Sequence, residues 1–388
     1  MSIDPASSRT NARGTIPDAT RKAGVRIPEL DGLRGVAILL ILIWHYVYSG
    51  LPPSLKTWVL RSSWSGVDLF FVLSGFLIGG ILIDARQSSN LFKTFYSRRV
   101  FRIVPLYWLV LGAYAVLSLP RLRETAAAAS LVEPRLSGYL YVVFLQNFAM
   151  AWSDTLGAPF LAATWSLAIE EQFYLTLPFV VRAVPTRALA WVCVGSVAFA
   201  NLLRVVVCLL TDRVWPAYVL MPCRMDALML GVLAAIIVRS ENARMIITRR
   251  SNVLWAVAFS LFLLIGYMTR KNWMIASTEM ATWGYTVLAL FYSLVLLLSV
   301  TQNRSALSRG LRFTPLRRLG GIAYGVYLFH LPVNGFLHAY IRNTGAQLLD
   351  VTDVGITAIA LGLTLTLATV SWRLFERPLI GIAHRLSY

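Results

Sequence analysis

A histidine sits inside an apolar run, LLILIWHYVY, at position 45. Neutral imidazole takes a hydroxyl proton near pH 7, so His45 reads as a general base. The competing reading is a histidine bonded to a neighbouring helix. A second cluster is cationic: Arg98, Arg99 and Arg102 in YSRRVFRIVPLYW. Arg99 and Arg102 are three apart and share a helix face, which suits a phosphate or pyrophosphate. Anchoring at the inner membrane boundary explains the same run without a ligand. Asp68, Glu170, Glu171, Arg204, Arg224 and Asp226 also interrupt apolar runs. Ionisable groups at such depth are costly and face a cavity or each other. The pattern predicts an outward-facing polar cavity with His45 at its floor, or local neutralisation, the latter above all for Arg224 with Asp226.

Other chemistries find no support. GxxxxGK[ST], HExxH and GxSxG are absent, so neither a phosphate loop nor a metal site is expected. The cysteines are Cys193, Cys208 and Cys223, an odd number without CxxC spacing. Cys208 and Cys223 flank a short polar stretch and are placed to pair if it faces an oxidising compartment. Gly75, Gly79 and Gly80 in SGFLIGG read as sites of close helix packing.

These groups need elements to hold them. Of 388 residues, 57% are hydrophobic and 14% charged, against about 25% charged in soluble proteins. An ordinary soluble enzyme and a disordered chain are both excluded. The net charge of +18 would suggest nucleic acid, but the bases lie between long apolar runs, so no nucleic-acid role is expected. Eleven runs approach the roughly 20 residues that cross a bilayer. They are 31–50, 66–84, 101–119, 137–151, 164–182, 188–210, 222–238, 253–269, 280–300, 319–341 and 354–375. Basic residues concentrate up to Arg34, at 86–102, 239–250 and 304–318, and from Arg373 onward. Placing all five inside requires an odd number of spans between 120 and 239. The short run 137–151, with Gln146 and Asn147, then becomes re-entrant or interfacial. The expected fold is an all-α polytopic membrane bundle of about ten transmembrane helices plus that segment. Both termini are cytoplasmic, and 25 of 36 bases fall inside. The expected divisions are a flexible tail 1–27, one membrane domain 28–378 and a tail 379–388.

Six stretches in order resemble the acyltransferase 3 family of bacterial membrane O-acyltransferases. IPELDGLRGVAILLILIWHY (27–46) is similar to its opening helix, with Asp31, Arg34 and the motif histidine at His45. GVDLFFVLSGFLI (66–78) is similar to its second motif, and RRVFRIVPLYW (98–108) contains its Arg-x-x-Arg at Arg99 and Arg102. TWSLAIEEQFYLTLP (164–178) places the family glutamate at Glu170, and AYGVYLFHLPV (323–333) and FERP (375–378) are similar to the closing motifs.

The resemblance implies transfer of an acyl group, commonly acetyl, from cytoplasmic acyl-CoA to a hydroxyl. His45 and Glu170 would be catalytic. Arg99 and Arg102, with Arg98, would hold the CoA phosphates. Asp31, Arg34, Asp68, Ser74 and His330 would support them. The expected acceptor is a cell-surface glycan or lipid-linked glycan, such as O-antigen or exopolysaccharide. The expected location is the bacterial cytoplasmic membrane, in contact with lipid. Some members append a periplasmic SGNH-type domain. It is not found in this sequence, so transfer is expected to be completed here or handed to another protein. Acylation of a small metabolite such as a macrolide is the alternative within enzymes. A secondary transporter is the alternative outside them, although no inverted repeat is seen.

Overall fold

The computed structural model describes residues 27–388, apart from 124, 212 and 276. The expected N-terminal tail, Ile27 excepted, lies outside the described residues. Every regular element among the described residues is helical. The long elements are α1 (Pro28–Leu42), α2 (Gly66–Asp84) and α3 (Leu91–Leu117). After the short α4 (Gln146–Ser153) come α5 (Thr164–Ala183), α6 (Thr186–Thr211), α7 (Met221–Arg239) and α8 (Ser251–Arg270). The chain closes with α9 (Tyr285–Thr301), the short α10 (Thr314–Gly321), α11 (Ala323–Arg342), α12 (Val351–Ser371) and the short α13 (Arg377–Ala383).

Eight helical stretches among the described residues are long and apolar enough to cross a membrane. The protein is thus a polytopic membrane bundle. α5 and α11 have twenty residues each but carry more polar groups, and are not among the eight. The run 137–151 breaks into two short helices, Gly138–Val142 and α4. Gln146 and Asn147 are fully buried there, bonded to the Thr164 and Val219 carbonyls at 2.9 and 3.1 Å.

The bundle has a centre and a rim. The apolar windows of α2 and α7 are 72% and 67% buried, whereas those of α3, α6, α8 and α12 are each 22% buried. Large apolar side chains on the rim face outward, among them Trp191, Leu209, Phe262 and Ile359. That suits lipid, where apolar surface pays no penalty for staying exposed. The central crossing depends on glycine. A β-carbon at Gly75 would overlap the Leu228 carbonyl, and one at Gly231 would overlap the Val72 carbonyl. Two backbones therefore meet directly, which gives van der Waals packing without a hydrophobic drive.

Two breaks in helical regularity place side chains at the site. α1 continues as a π-helical turn, Ile43–Tyr48, which carries His45. α12 continues as another, Trp372–Glu376, which carries Glu376. Such turns rotate the next residues off the helix's own face and recur at functional sites. The last residues, expected as a tail, bind back on α3: Thr94 donates to the Ser387 carbonyl at 2.9 Å and Arg98 to that of Leu386 at 2.6 Å.

Candidate active site

A cavity of about 140 Å³ opens between α2, α3, α5, α11 and the end of α12. Its wall is apolar for the most part, with Phe70, Phe71, Leu77 and Ile103. Its polar groups converge from separate helices: Arg34, Arg99, Arg102, Ser74, Glu170 and Glu376. An apolar pocket with few aimed polar groups is the usual form of a small-ligand site.

The carboxylates in it are held. Glu170 accepts from the Ser74 hydroxyl at 2.7 Å and from the Tyr174 hydroxyl at 3.0 Å. Tyr174 lies one turn beyond Glu170, so α5 supplies both from one face. Glu376 accepts from Ser371 at 2.9 Å. The cations are treated differently. Arg34 reaches Asp31, one turn earlier, at 3.4 Å. Neither Arg99 nor Arg102 has a carboxylate within ion-pair distance among the described residues, and Arg99 Nε is buried without a partner. Two guanidinium groups one turn apart thus face a cavity without a close ion pair, with Glu170 within electrostatic reach of both and Glu376 within reach of Arg102. Arg98 does not join them. Its guanidinium stacks 4.7 Å from the Tyr388 ring centre, in addition to its bond to Leu386.

The cavity's mouth is positive. Just beyond the last helix, burial and then Arg98, Arg102 and Arg99 hold His384 below the usual histidine range.

Tyr327 and Ser166 form the opposite end. Their hydroxyls lie 2.5 Å apart, and Tyr327 also donates to the Ala163 carbonyl at 2.8 Å. Behind Tyr327 stand two histidines. His330 lies 5.6 Å from the Tyr327 ring, and His45 lies 4.8 Å from His330, ring centre to ring centre. His330 Nε2 and His45 Nδ1 are 3.2 Å apart. His330 is wholly buried and His45 only partly so. His45 is therefore not the floor of a cavity shared with Glu170. It stands past the Tyr327 end of the Glu170 cavity, with its own partial exposure.

The remaining charges close on each other. Arg224 pairs with Asp68, its guanidinium 3.8 Å from the Tyr285 ring centre. Arg204 pairs with Asp226 at 3.0 Å, and Thr286 bonds both, at 2.6 and 2.8 Å. All four ionic groups are buried. The expected Arg224–Asp226 pair does not form. Two residues apart on a helix they point to opposite sides, so each meets a neighbouring helix instead. Asp68 is thereby tied up in the packing. Asp31 likewise lies beneath Arg34 at the foot of α1, outside the cavity wall. The three cysteines are free thiols, Cys208 and Cys223 included.

Sequence reading missed Ser166, Tyr174, Tyr324, Tyr327 and Glu376 as wall residues. All five lie within stretches already singled out for their motifs, and Tyr174 and Tyr327 sit one turn from Glu170 and within one turn of His330. A face count from each ionisable residue would have found them.

Residues 27–373 match the family model described as an acyltransferase domain. Among curated proteins, the chain is 26% identical to the peptidoglycan O-acetyltransferase OatA of Listeria monocytogenes, over 93% of this chain and 57% of that one. It is 27% identical to the O-acetyltransferase OatA of Staphylococcus aureus, over 91% and 57%. It is 28% identical to the putative peptidoglycan O-acetyltransferase YrhL of Bacillus subtilis, over 91% and 55%. The chain spans a little over half the length of these relatives. No solved structure matches it.

Proposed function

The chain belongs to this acyltransferase family, and from that premise we propose that it is an O-acyltransferase. It moves an acetyl group from cytoplasmic acyl-CoA to a hydroxyl of a cell-surface glycan. The observation that carries the reading is the pair Arg99 and Arg102, without a close ion pair among the described residues and facing a cavity that ends at Tyr327, with the two histidines behind it. In the bilayer α5 and α11 complete ten spans, with 137–151 lying on protein and both termini inside.

In that frame the arginine layer lies toward the cytoplasm. Arg102 sits roughly 16 Å along α3 from its first residue, and His45 roughly 16 Å along α1 from Arg34. Arg99 and Arg102 grip the phosphates at the mouth, where bidentate geometry favours arginine over lysine. The largely apolar cavity beyond the arginines suits a thin thioester-bearing arm. Reaching His45 requires the Tyr327 ring to swing aside. The acceptor hydroxyl arrives from the outer side. His45 takes its proton while the oxygen attacks the thioester carbonyl; the carbon–sulfur bond breaks and the thiolate leaves toward the cytoplasm. Glu170, fixed by Ser74 and Tyr174, orients the arm below the reacting carbon.

His45→Ala in nanodiscs tests this. Acceptor-dependent release of CoA thiol from acetyl-CoA should fall by about 10²–10⁴-fold, with an unchanged elution profile. Undiminished release removes His45 from the reaction. A wild-type protein that moves solute and releases no CoA is a transporter.

A further inference from the structure

The two histidines admit one arrangement of protons. His330 Nδ1 lies 2.6 Å from the Tyr327 carbonyl oxygen. A carbonyl only accepts, so that nitrogen carries the hydrogen. Neutral His330 then presents a lone pair at Nε2. That lone pair faces His45 Nδ1 at 3.2 Å, so His45 Nδ1 must donate. A second contact agrees independently. His45 Nδ1 is 3.1 Å from the Ile41 carbonyl, which again only accepts. A doubly protonated His330 would force His45 Nδ1 to accept from it while pointing at a carbonyl oxygen, and is excluded.

We propose that His330 is a positioning residue that locks His45 in its Nδ1-protonated tautomer and leaves Nε2 as the proton-accepting atom. This rests on the acyl-transfer reading for its purpose and on the geometry alone for its content. No described residue hydrogen-bonds His45 Nε2, and His45 is the more exposed of the pair. His330 cannot reach a hydroxyl itself, being wholly buried with both nitrogens engaged. Its backbone is fixed too, because Tyr46 donates to the His330 carbonyl at 3.0 Å. When His45 takes the substrate proton at Nε2, the positive ring keeps its Nδ1–H between the Ile41 oxygen and the His330 lone pair. A neutral imidazole thus fills the orienting place that a carboxylate takes in hydrolase triads. It does so without adding a second charge at membrane depth.

Two measurements test it. Nitrogen-15 histidine labelling of the wild-type protein in nanodiscs reads each tautomer with no substrate present, and loss of one signal in His45→Asn assigns it. The expected spectrum shows Nδ1–H at His45; Nε2–H there overturns the proposal whatever the enzyme does. The second compares His330→Leu with His330→Gln in CoA release from acetyl-CoA. Leucine removes the acceptor, so kcat should fall about 10–100-fold, the usual effect of losing an orienting partner, with KM for acetyl-CoA unchanged. Glutamine offers its side-chain oxygen near the Nε2 position and should regain most of kcat. Equal losses in both variants, or a change confined to KM, overturn it.

Discussion

The same residue type serves opposite ends in two parts of this molecule. Arg204 and Arg224 are wholly buried, each with a carboxylate and with an aromatic ring or hydroxyl around it. Arg99 and Arg102 are partly buried, share a cavity and form no ion pair among the described residues, with Glu170 and Glu376 in the same cavity at longer range. A buried charge must be matched. In the first region the match is built into the fold. In the second it is only partial, at longer range, and the rest is left to whatever the cavity admits. The difference separates packing from recognition without reference to any motif.

The largest expected effect breaks the paired region. Arg224→Ala strands Asp68 beside the central glycine crossing and should cost about 3–5 kcal/mol. Little monodisperse protein should survive detergent extraction, and the unfolding temperature should drop. Joining Arg224→Met to Asp68→Leu removes both charges and should restore much of the loss. A single variant as stable as the parent would show that the pair is not structural.

That pair also shows what the sequence concealed. His45, Arg99, Arg102 and Glu170 were legible because each interrupts an apolar run, and such interruptions are expensive. The long spans were legible for the same reason in reverse. Partnership was not, because Asp68 and Arg224 are 156 positions apart. Proximity in sequence suggested Asp226, which the helix turns away. The placing of His45 behind Tyr327 was equally hidden. A π-helical turn sets it, and nothing in the residues 43–48 marks a five-residue hydrogen-bond step. The runs 164–182 and 319–341 were legible as apolar segments; that their polar residues Ser166, Tyr174, Tyr324 and Tyr327 would line one cavity with Glu170 was not.

The next effect should have the opposite sign for stability. Arg102→Ala removes a charge that lies near Arg34 and Arg99. The ligand-free protein should unfold at the same temperature or a higher one, since no ion pair is broken and repulsion from Arg34 and Arg99 is relieved. Its KM for acetyl-CoA should rise about 10–100-fold, the loss of a hydrogen bond to a charged group being about 1.5–3 kcal/mol. An Arg102→Ala variant that unfolds as readily as Arg224→Ala would abolish the distinction between the two regions.

The smallest effect reads the field at the mouth. His384 is held low by burial and then by the three arginines of α3. Saturation with CoA neutralises part of that positive charge. The His384 titration followed by NMR should therefore move upward, and binding should take up protons as the pH falls through it. A titration that does not move places the phosphates elsewhere.

The separation of Asp68 from Arg224 has a consequence in time. The ribosome adds about 5–20 residues per second, so roughly 10–30 s pass between synthesis of the carboxylate and synthesis of its guanidinium. For that interval α2 has an acid and no base. It must wait beside the insertion machinery, or enter the lipid with its proton on, until α7 arrives. The final act of assembly at the centre of this bundle is thus a docking of two segments made far apart. The glycines that let their backbones touch are what make the late arrival fit.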